Sequence, residues 1–183
     1  MASIIKVNEY KDFGNNAIMT SDGAGNVTIN AAALKNTPRF LALKSNAADQ
    51  TISDATGTLI TFDTEIIDTD NAFASNTFTV PAGEGGTYMI GAGANIGAGT
   101  YSQLDQSIIY LVKNGTITSN YGGAFQSNPI YHSNLSYTDV QVLSAGDTLV
   151  VWAYANVNSG SGHVSGNSDL RRETYFYGYK LLT

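Results

Sequence analysis

Cysteine is absent from the 183-residue chain, so neither a disulfide framework nor a thiolate metal site can hold it together. Stability must then come from packing or from subunit association. Charge is scarce as well: Lys and Arg number 9 against 15 Asp and Glu, and only 13% of residues are charged. A formal charge of −6 leaves no basic surface to neutralise phosphates, which argues against nucleic acid and anionic membranes as partners. Long apolar runs are missing too. The opening MASIIKVNEYKDFG contains no stretch of secretion-signal length, and nothing downstream approaches a membrane span. The expectation is a protein made in the host cytoplasm without a signal peptide and without membrane insertion.

What is present leans toward β-structure. The chain is 43% hydrophobic, with 19 glycines and 11 tyrosines, and its length suits one principal domain with a small appendage. Residues 1–38 alternate short apolar runs with turns such as GNN and SDGAGN, and end in AAALKN, a candidate helical turn. They read as a short β-rich N-terminal arm, either a passive extension or an anchoring and assembly segment. From Arg39 onward strand-length segments succeed one another: FLALKS, TLITFDTEII, TFTVP, GTYMIGAGANI, SIIYLVKNG, YTDVQVLSAG, DTLVVWAYANV and TYFYGYKLL. None sustains a helical period. Asn114-Gly115 predicts a two-residue hairpin, because both central positions of that turn need positive φ, and Ala145-Gly146-Asp147 predicts a second, longer one. The fold class is all-β, an antiparallel two-sheet sandwich formed by residues 39–183.

The segment 86-GTYMIGAGANIGAGTY-101 resembles a phosphate-cradling loop in its glycine content. Alternate residues separate into Tyr88, Ile90, Ala92, Ala94 and Ile96 on one side and Met89, Gly91, Gly93, Asn95 and Gly97 on the other. The first set suits a strand facing a core. The dinucleotide spacing fails at Gly97, and no amphipathic helix follows to present its N-terminus. A bare glycine face inside a strand implies close approach by another strand, loop or subunit, or else a bulge at a sandwich edge.

Five pieces in order, FLAL at 40–43, ITFDTEIIDTDNAF at 60–73, FTVPAGEGGTYMI at 78–90, LSAGDTLVVWA at 143–153 and YFYGYKLL at 175–182, resemble the jelly-roll domain of complement first-component globular heads and the tumour necrosis factor family. The resemblance covers about four fifths of the chain. The opening IIKVNEYKDFGNNAIMTSDGAGNVTIN is similar to the N-terminal region of small virion proteins of tailed phages, and no collagen-like stalk is present. The strand DTLVVWAYANV is apolar on both faces, and so is the last strand, where Tyr175, Tyr177, Tyr179 and Leu181 stand opposite Phe176, Gly178 and Leu182. A sandwich covers only one face of each strand. In the resembled family the other face is hidden by two further subunits around a threefold axis. Burial of three or four aromatics there would contribute at most roughly 6 to 12 kcal/mol per subunit. The resemblance therefore implies a homotrimer, with Tyr175, Tyr177, Tyr179, Trp152 and Tyr154 as candidate interface residues.

Catalytic signals are weak. His132 in NPIYHSN and His163 in SGSGHVSG both look like loop residues, and they could share a metal only if their loops converge. In 162-GHVSG-166 the serine occupies the fourth place where a nucleophile elbow needs the third. Asp68-Thr69-Asp70-Asn71 starts like a calcium loop, but Ala72 and Phe73 break the pattern, so an aspartate-rich strand connection is the better reading. Asp105, Asp139, Asp169 and Glu173 are the main loop carboxylates available for glycoside cleavage. The expectation is no enzyme, no cofactor and no resident metal. The strings at Asn26, Asn114 and Asn134 matter for glycosylation only in a secretory pathway.

The best recognition candidate is 118-TSNYGGAFQSNPIYHSNLSY-137, read as a long connection in which Tyr121, Phe125, Tyr131, His132 and Tyr137 would contact a ligand. Ordinary packing is its bland alternative. The stretch 156-NVNSGSGHVSGNSD-169 reads as a second exposed loop. The resemblance implies a trimeric structural protein on the surface of a tailed phage virion, a head or tail knob or decoration bound to other virion proteins through residues 1–38, which either touches a host surface glycan or simply decorates the particle. A stand-alone bacterial glycan-binding module and a glycan depolymerase are the alternatives.

Overall fold

The computed structural model describes residues 8–29, 37–45, 48–124, 128–166 and 173–181. The candidate helical turn at 31–36, together with Phe125, Asp169 and Leu182, lies outside them. The chain divides into two units, Met1–Thr37 and Pro38–Thr183.

The first unit holds an antiparallel three-stranded meander of β1 (Glu9–Lys11), β2 (Ala17–Ser21) and β3 (Val27–Ile29). Aspartates close both of its turns. The Asp12 carboxylate accepts the Asn16 amide at 2.9 Å, and that of Asp22 accepts the amides of Ala24 and Asn26 at 2.7 and 3.1 Å. Short polar side chains of this kind compete well for local backbone donors, which makes them turn residues.

The second unit is a two-sheet sandwich in which every pairing is antiparallel. Its first sheet joins β4 (Arg39–Leu43), β5 (Gln50–Ile52), β7 (Thr64–Asp68), β10 (Gly86–Ala98), β13 (His132–Leu143), β15 (Gly162–Val164) and β16 (Tyr175–Lys180). The order runs β5-β15-β10-β16-β4-β7. β13 pairs with the whole of β10 from the other side, from Gly86↔Leu143 to Gly97↔His132. The second sheet runs β12 (Thr116–Ala124), β11 (Leu104–Lys113), β14 (Thr148–Val157), β9 (Thr77–Thr79) and β8 (Phe73–Ala74), with β6 (Thr58–Leu59) also on β14.

The core forms where inward-facing sets of the two sheets meet. Tyr88, Ile90, Ala92, Ala94 and Ile96 are all fully buried, as the alternation predicts, and face Leu149, Val151, Ala153 and Ala155 of β14. Small alanines on these central strands let the sheets approach. Larger rings fill one end, where Phe40 stacks on Phe78 at 4.4 Å and meets the edge of Phe176 at 4.8 Å. Removing Phe176 would leave a cavity costing about 3 to 5 kcal/mol. Both predicted hairpins form: Asn114 and Gly115 take φ of 50° and 79° between β11 and β12, and Gly146 takes 86° between β13 and β14.

Several sequence expectations are corrected here. Residues 118–137 are not one long connection, because β12 extends to Ala124 and β13 begins at His132. Residues 156–169 are not one loop either, since β14 ends at Val157 and Gly162–Val164 is strand β15. His132 and His163 therefore sit on strands. The sequence missed this because Gly, Ser and Asn dominate both stretches, while pairing across the sheet is a long-range property.

Candidate functional site

The outward side of the first sheet answers the question posed by the glycines. Gly91 lies opposite Tyr177 on β16, and Gly93 opposite Tyr175. Both rings lie over these glycines: a Cβ added at Gly91 would stand 2.3 Å from the Tyr177 ring, and one at Gly93 would stand 2.5 Å from that of Tyr175. Of the two expectations, close approach or a bulge, the structure selects close approach, made by a neighbouring strand of the same chain. The Tyr177 hydroxyl and that of Thr138 on β13 hydrogen-bond at 3.0 Å, so the ring spans β10 completely. Tyr175 and Tyr177 stack at 6.1 Å, and the Tyr179 hydroxyl reaches the Met89 sulfur at 2.8 Å.

This tyrosine row is bordered by apolar side chains that remain open. Ile67, Val140 and Val142 are 41, 54 and 75% exposed, and Tyr179 is 39% exposed. A cavity of about 430 Å³ is lined by Arg39, Leu41, Ile67, Tyr175, Tyr177 and Tyr179, among others. A contiguous apolar surface on a folded body marks an interaction site.

Beyond the tyrosines the same face turns polar. His132 and His163 flank Gly97 from β13 and β15, and their rings meet at 5.2 Å where a Cβ at Gly97 would clash with both. Asn95 Oδ1 meets His132 Nδ1 at 2.9 Å and accepts the Ser165 hydroxyl at 2.9 Å, while Asp49 lies 3.6 Å from His163 Nε2. Burial pushes the His163 imidazole below its ordinary pKa, helped by His132 and opposed by Asp49. The two histidines thus converge. Even so, among the described residues no group of three or more His, Asp or Glu side chains is placed to hold a metal. The Asp68 carboxylate, expected in a strand connection, accepts the amides of Ala72 and Phe73 at 2.9 and 3.0 Å.

The expected interface residues do not share one surface. Tyr175, Tyr177 and Tyr179 belong to the first sheet, whereas Trp152 and Tyr154 point outward from β14 in the second. Trp152 is partly covered by its own chain, at Gly57. The expected ligand contacts separate too. Tyr121 is exposed on β12, while Tyr137 packs toward the core with its hydroxyl buried and unpaired, and burial raises that phenol's pKa. Among the described ones only Tyr131 and His132 stay together, edge to face at 4.1 Å. Tyr101, which the sequence reading overlooked, stacks on Tyr131 at 4.3 Å and is 78% exposed.

No protein-family model matches the chain, and no curated protein matches it in sequence. Solved structures do match. The globular domain of zebrafish complement 1qA protein superposes with a TM-score of 0.54 at 13% identity, covering 79% of this chain and 98% of that one. Murine APRIL gives 0.54 at 12% identity, covering 80% and 100%. The body is a jelly roll. At these identities the likeness is one of fold, and the shared architecture is that of the complement globular head and the tumour necrosis factor type.

Proposed function

We propose that this protein is a non-enzymatic homotrimer whose first-sheet face, paved by Tyr175, Tyr177 and Tyr179, closes against two further copies around a threefold axis. The observation that carries the reading is the uncovered apolar surface running from Ile67 across the tyrosines to Val140 and Val142. Nothing in the chain's own described residues hides it, and the jelly-roll likeness supplies a known way for such a face to be buried. Leu41→Asp places a charge beside the cavity without touching the core. It is expected to turn a trimer into single chains, read by light scattering behind gel filtration; an unchanged mass would refute the interface.

The trimer is best read as a virion surface protein of a tailed phage, a knob or decoration with residues 1–38 serving assembly. The resemblance read in the opening segment IIKVNEYKDFGNNAIMTSDGAGNVTIN is what motivates this reading. Its test is deletion of residues 1–38, expected to abolish incorporation into particles as seen by mass spectrometry of purified virions. Undiminished incorporation would count against it. Contact with a host glycan is favoured by the Tyr101–Tyr131 stack, since an exposed ring offers a flat face to a sugar. On a glycan array, Tyr101→Ala is expected to lose binding that the parent protein shows, and a parent that binds no glycan would leave decoration as the role.

A further inference from the structure

The N-terminal meander has two unlike faces. Register places Tyr10, Met19 and Ile29 in one cross-strand row, with Val27 on the same side opposite Ser21. The reverse side carries Glu9, Ile18, Thr20 and Thr28, while a register shift after Tyr10 sets Lys11 opposite Ala17, where it is ion-paired with Glu9 at 3.1 Å. Among the described residues of this unit nothing covers the apolar side: Tyr10, Met19, Val27 and Ile29 are 57, 38, 57 and 42% exposed. No described residue of β1, β2 or β3 is buried. A sheet whose apolar face stays in water gains no burial to offset the entropy of ordering its strands.

We infer that this face packs against the same face of the other copies of the chain, so that the meanders of one trimer join into a shared apolar core. The inference rests on the trimer reading above. Size decides the occupant. Three strands about 4.8 Å apart and at most five residues long present a face on the order of 200 Å². A freestanding partner protein ordinarily needs about 800 Å² on each side, so a separate molecule would be held too weakly. A copy tethered to the same assembled body meets this face at an effective concentration near millimolar, where a small contact suffices. Chemistry agrees, because Tyr10, Met19, Val27 and Ile29 carry no charge and the bulged Lys11 at the margin is already paired with Glu9 of its own chain, so a copy meets little repulsion.

The absence of cysteine makes the test clean. Met19→Cys puts one thiol per chain at the centre of the apolar face, Val27→Cys repeats it nearby, and Thr20→Cys puts one on the reverse face. Each full-length variant is treated with a short bis-maleimide and run on a denaturing gel, with its native mass taken by sedimentation. The expected result is a trimeric mass with several-fold more linked chains from Met19→Cys and Val27→Cys than from Thr20→Cys. A trimeric mass with no linkage, or equal linkage from both faces, overturns the shared core and leaves the trimer standing. A single-chain mass overturns the trimer reading and this inference with it. On particles, linkage of Met19→Cys to a different virion protein in place of a copy also overturns it.

Discussion

At Gly91 and Gly93 the missing side chains are what allow Tyr177 and Tyr175 to lie flat. Gly91→Ala would drive a methyl group into the Tyr177 ring, and because the obstruction is a whole ring held by Thr138, relief requires the tyrosine to swing out. The expected cost is about 1 to 3 kcal/mol in denaturant unfolding. It should be largely suppressed in Gly91→Ala combined with Tyr177→Ala, since the two positions share one contact. Equal penalties with and without the ring would remove this explanation. His163 makes a second residue-scale prediction. Its folded-state pKa is depressed by burial, so below about pH 6.5 the unfolded chain takes up the proton first. Stability is full above that pH and falls as the solution is acidified toward the folded-state value. The urea midpoint should therefore drop between neutral pH and about pH 5.5, and His163→Gln should flatten that part of the profile. Because Asp49 and His132 are the ionisable groups beside the ring, the slope should steepen in Asp49→Asn.

At the scale of elements, the β11–β12 hairpin is held by Asn114 in two ways. Its backbone occupies the left-handed region at φ 50°, and its side chain accepts the Thr148 amide and donates to Asp147, both at 2.8 Å. Asn114→Ala removes both supports and should cost about 1 to 2 kcal/mol in thermal or denaturant unfolding, whereas Thr116→Ala next to the turn should change little. This hairpin was legible because its information is local, an Asn-Gly pair between two β-branched runs. β10 was legible for a similar reason: its buried set repeats every second residue within a single strand. Other elements were hidden. β12 looks like a loop because Ser119, Asn120, Tyr121, Gly122 and Gly123 have loop composition, yet they are ordered by pairing with β11. Sheet membership was equally invisible: Trp152 and Tyr177 have similar alternating neighbours, and only the order of strands places them on opposite sides of the sandwich. The meeting of His132 and His163 at Gly97 depends on two separate registers, neither of which is written locally.

For the molecule as a whole, a cysteine-free jelly roll leaves, among the described residues, an apolar face of its first sheet and a small apolar face of its meander uncovered. The proposed association of identical chains would cover both, the first through the tyrosine-paved sheet and the second through a shared core of three arms. The account stands on the first of these. Sedimentation equilibrium of the full chain at micromolar concentration tests it most directly. The account predicts one species of three times the 19.3 kDa chain mass, converted to single chains by Leu41→Asp. A stable 19.3 kDa species of the unaltered protein across that range would contradict it.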